Sequence, residues 1–484
     1  MSPADARRAA TSPWIVLVLV CLAQFMVVLD VTIVNVAMPS IQADLGMSES
    51  DLQWIINAYT LVFGGFLLLG GRAADLFGRQ KLFLAGVALF ATASAINGLA
   101  TSSEMLIAGR ALQGLGGALV SPAALSIVIH TFPEGSERTK ALGVWSAIAA
   151  GGGAVGLLLG GVLTDLLTWE WTFFVNVPVG LAAFILSLRL VPDSRAEHLP
   201  RSVDFAGAFS VTAGLVVLVY AIVEAESAGW GSGQTLGLLA LAAVLLSAFV
   251  AIERRSPAPL VRLGIFKVRS LLGANLVLLF VAAGMFASFF FVSLYVQRTL
   301  GLSPLEAGLA FMPFTVGIMA GATLAQQGIR RFGPRPVTMV GMTLAAIGLF
   351  LQSSISVDGS YVANVLPGTI ITSFGMGLTF VPITLIATTN VSGEDAGLAS
   401  GLFNTSQQVG GALGLAILST FATDKTASAL AGGAEQMTAL VDGWQLAMAI
   451  AAGLMLVAVA VLGLLVRRQD VDHIRGDEPV PVAA

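Results

Sequence analysis

The chain has 484 residues, of which 56% are hydrophobic and only 11% charged. A soluble domain carries roughly a quarter charged residues, so this composition excludes an ordinary water-soluble globule and places most of the chain against lipid or other apolar helices. The net charge of −4 averages over two sides of a membrane and points to no nucleic-acid partner, while a single cysteine, Cys21, excludes an intramolecular disulfide.

In chain order, a short tail (1–13) carries Arg7 and Arg8, and an apolar run then begins at Trp14 and reaches about Ala37. That run is too long for a signal-peptide core and no clean cleavage site follows, so it reads as a retained first span. Further apolar stretches fall near 52–71, 82–101, 104–129, 140–163, 172–191, 205–226, 235–253, 270–296, 304–327, 336–354, 361–387, 396–421 and 443–466. Each is long enough to cross about 30 Å of hydrocarbon as a helix. The runs are continuous rather than alternating, which favours helices over a β-barrel. An all-α integral membrane protein of fourteen spans is therefore expected.

Basic residues orient it. With the N-terminus placed in the cytoplasm, all of the 24 Lys and Arg except Arg110, Arg298 and Lys425 fall on the cytoplasmic side. Both termini are then cytoplasmic. "DLFGRQK" (Asp75–Lys81) after the second span is echoed by "RRFGPRP" (Arg330–Pro336) after the tenth. The echo divides the chain into an N-terminal six-helix bundle (14–192), two additional central helices (205–253), a C-terminal six-helix bundle (270–466) and a cytoplasmic tail (467–484). Paired six-span halves are a transporter signature, with cargo bound near the midplane.

Several chemistries lack their residues. None of the four lysines is preceded by Gly, so there is no GK[ST] phosphate loop; the three histidines lie far apart, and neither H-E-x-x-H nor G-x-S-x-G occurs. No enzyme, no metal and no cofactor is expected.

The loop "GRAADLFGRQK" (Gly71–Lys81) joins spans 2 and 3. Its Gly71 and Gly78 permit a tight reversal, and Asp75 and Arg79 can pair at a cytoplasmic helix end. This stretch resembles the loop signature of the major facilitator superfamily, G-x-x-x-D-x-x-G-R-x-K. The resemblance implies a major facilitator fold and a cytoplasmic gate at Gly71, Asp75, Gly78 and Arg79. "LDVTIVNVAMPSI" (Leu29–Ile41), "GRALQGLGGAL" (Gly109–Leu119), "GGAVGLLLGG" (Gly152–Gly161), "WTFFVNVPVG" (Trp171–Gly180) and "GLFNTSQQVGGALG" (Gly401–Gly414) narrow it. Together they are similar to the fourteen-span drug:proton antiporters, the quaternary-ammonium and multidrug exporters. In that family the arginine matched by Arg110 is implicated in proton coupling, and the glycines matched by Gly152, Gly156, Gly160 and Gly161 form an antiporter motif. One departure is Leu157, which stands where the family has proline. The glycine spacing alone reads as close helix packing; a smooth glycine face would also let two halves slide.

Asp30 is an acid inside the first span, where it costs about 2.5–3.5 kcal/mol. It lies eight residues, or about 12 Å, from the outer end of its span, and Arg110 lies six residues, or about 9 Å, from the outer end of span 4. Buried opposite charges at like depth tend to pair. Arginine keeps its proton, so Asp30 is the group able to exchange one, with its protonation and cargo occupancy excluding each other. The alternatives are a structural hydrogen bond from Asp30 to Thr32, Asn35 or backbone, and an Arg110 that snorkels to the interface.

Candidates for lining a cargo cavity are the polar and aromatic residues in otherwise aliphatic spans: Gln24, Asn57, Tyr59, Gln113, Trp145, Asn404 and Gln408. A mostly apolar cavity with one acid suits lipophilic, often cationic molecules. The expected function is proton-coupled export of drugs, dyes or antibiotics across a bacterial cell membrane. A proton gradient supplies the energy, lipid is the surroundings, and the chain works as a monomer or with an accessory export partner. The alternatives are a dedicated exporter of one metabolite or self-made antibiotic and, from other classes, a membrane receptor or enzyme.

Overall fold

A computed structural model of the chain describes residues 12–132, 136–192, 204–257, 259–391 and 396–471. Gate residue Asp75 belongs to a described helix, but its side chain lies outside the described residues. The fourteen apolar stretches are helical: α1 Pro13–Leu45, α2 Trp54–Phe77, α3 Arg79–Gly98, α4 Ser103–Thr131, α5 Ser136–Leu166, α6 Asn176–Leu190, α7 Phe205–Ala228, α8 Gly233–Arg255, α9 Arg269–Arg298, α10 Met312–Phe332, α11 Pro334–Gln352, α12 Leu366–Thr388, α13 Ala396–Ala431 and α14 Gln436–Leu465. Short helical turns precede α6 (Trp171–Phe174), α10 (Pro304–Ala310) and α12 (Tyr361–Val365).

Among the described residues, twelve of these helices are long and apolar enough to cross a membrane. The two outside that count are α5, whose apolar part is Val155–Leu166, and α13, which carries the polar run Asn404–Gln408.

Local chemistry sets the helix ends. α1 begins on Pro13, whose missing N–H costs nothing in a first turn. It ends on Gly46 at φ +61°, whose N–H reaches back to the Gln42 carbonyl. The Ser102 hydroxyl accepts from the Met105 N–H to cap α4.

The chain forms two compact units, one from residues up to Gly214 with Val244–Leu260, the other from Leu215–Ala243 and from Val261 onward. The division runs across α7 and α8. In the first unit α1 packs on α4, α5 and α6; α2 packs on α4; and α3 packs on α4 and α6. In the second unit every one of these pairings recurs eight helices later: α9 on α12, α13 and α14; α10 on α12; and α11 on α12 and α14.

The sequence echo has a structural basis. Gly78 (φ +108°) and Gly333 (φ +86°) make the reversals between α2 and α3 and between α10 and α11. Any residue with a Cβ is strained in that region. Two residues after each glycine, a side chain reaches the end of the sixth helix of its own unit. Gln80 Nε2 donates to the Ser187 carbonyl at 3.0 Å, and Arg335 Nη2 donates to the Gly463 carbonyl at 2.8 Å. Gln80 Nε2 also reaches the Leu188 carbonyl at 3.3 Å, and the Leu188 and Gly463 carbonyls are among those a helix end leaves orphaned.

Candidate functional site: a buried charge pair in the first unit

Asp30 projects from the middle of α1 and is fully buried; Arg110, from the second turn of α4, is 2% exposed. Arg110 Nη1 donates to Asp30 Oδ2 at 2.5 Å. The other Asp30 oxygen, Oδ1, accepts from Gln113 Nε2 at 2.6 Å and from Asn176 Nδ2 at 2.9 Å. Two helices, α4 and α6, thus aim three donors at one carboxylate held on a third. Asp30's bonds run to these partners, whereas Thr32 donates to the Leu29 carbonyl and Asn35 to the Val31 carbonyl. The burial of Arg110 replaces the snorkelling alternative.

Arg110 is placed by more than the acid. Its Nε donates to the Ile55 carbonyl at 2.9 Å, and its guanidinium lies 4.4 Å from the centre of the Tyr59 ring and 5.8 Å from that of Phe173. A desolvated cation over an aromatic face gains about 2 kcal/mol. Gln113 sits one turn along and uses every position it has. Nε2 donates to Asp30 Oδ1 and to Ser94 Oγ (2.7 Å); Oε1 accepts from Arg110 Nη1 (2.7 Å) and Asn97 Nδ2 (2.8 Å). Ser94 and Asn97 are both fully buried on α3.

The glycines of "GRALQGLGGAL" make this approach possible. A Cβ on Gly109 would strike Asn97 Oδ1, one on Gly114 the Tyr59 carbonyl, and one on Gly117 the Phe63 ring at 2.9 Å. Larger residues would push α2 and α3 off α4 and open the network.

The glycine stripe of α5 also has a defined partner. Cβ atoms built on Gly152, Gly156 and Gly160 would meet Val28 at 3.1 Å, the Leu29 carbonyl at 2.8 Å and the Ile33 carbonyl at 2.6 Å. These residues flank Asp30 on α1, so the stripe grips the acid-bearing helix inside its own unit. Gly161 is buried beside it, as is Leu157 at the missing proline, and α5 runs through unbroken. Gly156→Val should destabilise the protein by about 1–3 kcal/mol through overpacking. Gly153→Val should cost far less, because its Cβ meets only Thr32 Cγ2 at 3.8 Å. Thermal unfolding of the two variants in detergent compares them directly.

The remaining sequence candidates fall in several places. Tyr59 and Gln113 belong to the charge network. Asn57 is fully buried on α2 and neither amide atom has a hydrogen-bond partner; Gln24 Oε1 on α1 is likewise unpartnered. Trp145 is half-buried against the core of the first unit. In the second unit Asn404 is exposed and bonds the Ser400 carbonyl, and Gln408 is half-buried. Of the gate residues, Arg79 is buried, and a Cβ on Gly71 would make an ordinary contact with Pro122 at 3.5 Å. Ser94, Asn97 and Asn176 complete the network without having been singled out. Only the run "WTFFVNVPVG" around Asn176 gave a signal.

The second unit carries a neutral counterpart. Ser288 on α9 donates to Gln352 on α11 at 2.9 Å, and Gln352 donates to Thr369 on α12 at 3.2 Å. These helices correspond by packing to α1, α3 and α4. Among the described residues, every fully buried polar side chain of the second unit is uncharged.

Known proteins agree with this architecture. The puromycin resistance protein pur8 of Streptomyces alboniger is 42% identical over 460 residues, covering 94% of this chain and 91% of that protein. The cephamycin export protein CmcT of Amycolatopsis lactamdurans is 40% identical over 407 residues, covering 84% of each. The crystal structure of an auto-inhibited POT family peptide transporter superimposes with a TM-score of 0.68 at 16% identity, over 94% of this chain and 97% of that one. That likeness shows the fold. The family model of the Major Facilitator Superfamily matches residues 20–415, and the chain belongs to that superfamily as a multi-pass transporter of the cell membrane, not an enzyme.

Proposed function

We propose that the protein is a proton-coupled antiporter that exports lipophilic, often cationic, drugs or antibiotics from the cytoplasm. The observation that carries this reading is the fully buried Asp30 held by Arg110. It is an acid able to exchange a proton, beside a cation that keeps its own. Burial of such a pair is weak evidence for stability, so its presence deep in a transporter's first span points to work rather than to folding. Relatives named for puromycin resistance and cephamycin export support export as the direction. The reading includes fourteen spans with both termini cytoplasmic, a proton gradient as the only energy source, and action as a monomer or with an accessory partner. Each proton entering down the membrane potential contributes about 2.3 kcal/mol per 100 mV. Asn57, with an unmet buried donor and acceptor, is the first place to seek a cargo contact. Asp75 and Arg79 are assigned to the cytoplasmic gate.

A second reading, export of one self-made antibiotic, is favoured by the single-compound names of those relatives. One experiment addresses both. The purified protein in liposomes with an imposed pH gradient is offered lipophilic cations and antibiotics, and proton flux and cargo are followed together. Gradient-dependent transport of many unlike compounds supports the broad exporter, and of one chemical class the dedicated one. Transport of none rejects both.

A further inference from the structure

The groups facing Asp30 are all donors. Arg110 Nη1, Gln113 Nε2 and Asn176 Nδ2 each give it a hydrogen, which suits a carboxylate. Once Asp30 takes a proton, it has an O–H of its own and needs an acceptor within reach. Arg110 has none to offer. Gln113 is locked: inverting its amide would set its NH2 against Arg110 Nη1 and Asn97 Nδ2, which both now donate to its oxygen. Asn176 is different. It is 1% exposed, and its amide is held by the bond to Asp30 Oδ1. Rotation about its Cβ–Cγ bond exchanges NH2 for C=O at nearly the same position.

We propose that Asn176 is a positioning residue that reads the protonation state of Asp30, donating to the carboxylate and inverting to accept from the acid. This rests on Asp30 being the proton carrier, as proposed above. The step moves one proton and no electrons. Water on one side supplies the hydrogen ion that forms the Asp30 O–H, and water on the other side receives it when that bond breaks. Asn176 keeps a hydrogen bond to Asp30 Oδ1 in both states, so the acid's O–H is not left without an acceptor, which would cost about 1–3 kcal/mol.

The fold gives the switch a place to act. Asn176 is the first residue of α6, directly after Val175, whose φ of −58° and ψ of −28° carry the helical course on from the turn Trp171–Phe174. Phe173, three residues earlier, faces the Arg110 guanidinium. A change in the Asn176 bond is therefore felt where α6 starts. Among the described residues, the charged or titratable groups at the site are Arg110 from α4 and Tyr59 from α2, whose ring lies over Arg110. α5 presents glycines to this part of α1, and α6 contributes the amide.

Infrared difference spectra across a pH titration, taken on full-length protein in lipid with isotope-labelled asparagine side chains, test this without any cargo. The Asp30 acid band is the one lost in Asp30→Asn. We expect an asparagine amide band to change in step with it and to vanish in Asn176→Ser. An Asp30 band with no accompanying asparagine band overturns the inference alone. The absence of any Asp30 band across the titration instead removes the proton-carrier reading beneath it. In transport, Asn176→Leu should slow turnover about tenfold, the factor one hydrogen bond to a charged group supplies, with cargo affinity within about twofold. Asn176→Ser, whose hydroxyl both donates and accepts, should recover most of the loss. Wild-type turnover in the leucine variant would also overturn the inference.

Discussion

Asp30→Asn is expected to abolish uphill export and cargo-driven proton release while leaving the protein inserted in the membrane. The substitution keeps the size of the side chain but removes the carboxylate proposed to carry the proton. It also leaves the Arg110 guanidinium buried without a counter-charge, though still bonded to the Ile55 carbonyl and stacked on Tyr59. Breaking one side of a buried ion pair costs about 3–5 kcal/mol, so lower thermal stability should accompany the loss of coupling. Proton release from everted vesicles on cargo addition is the measurement. Continued uphill pumping by this variant would remove Asp30 from the coupling step and, with it, the antiport scheme.

The second large effect is expected at Arg110. Arg110→Leu leaves the Asp30 charge with two amide donors in place of an ion pair, again a loss of about 3–5 kcal/mol. The double variant Asp30→Leu/Arg110→Leu removes both charges and should regain most of that stability, because replacing a buried pair with apolar residues is often neutral or better. Neither variant should transport against a gradient. Unfolding in detergent alongside liposome transport separates the two roles: recovered stability without recovered transport identifies the pair as functional. Arg110→Lys should fall between, since lysine loses the Nε bond to Ile55 and the planar stacking on Tyr59. If the double variant unfolds as readily as the single ones, the pair holds the fold together and the assignment fails.

Much of this site was legible in the order of residues. Asp30 and Arg110 stand out because charge is expensive in an apolar run, and helical rise alone sets them at similar depth. The helices themselves follow from runs of apolar residues, since a backbone in hydrocarbon must bond to itself. The echo of Gly78 in Gly333 also follows from the chain, because a reversal at positive φ selects glycine wherever it recurs.

Depth, however, is one coordinate of three. Which way each side chain points around its helix, and which helix stands beside it, came only from the packing of α1 against α4, α5 and α6. Ser94, Asn97 and Asn176 are ordinary polar residues within or beside apolar runs, and nothing in their spacing distinguishes a bond to Gln113 or Asp30 from one to the helix's own backbone. The glycine stripe of α5 announced a close approach but not its partner; tertiary structure sets it against the helix that bears Asp30. The sequence could therefore say that a charge pair was buried, because burial and charge are properties of single residues. That Asp30 accepts from Arg110, Gln113 and Asn176 at once is a property of three helices meeting, and only their packing could decide it.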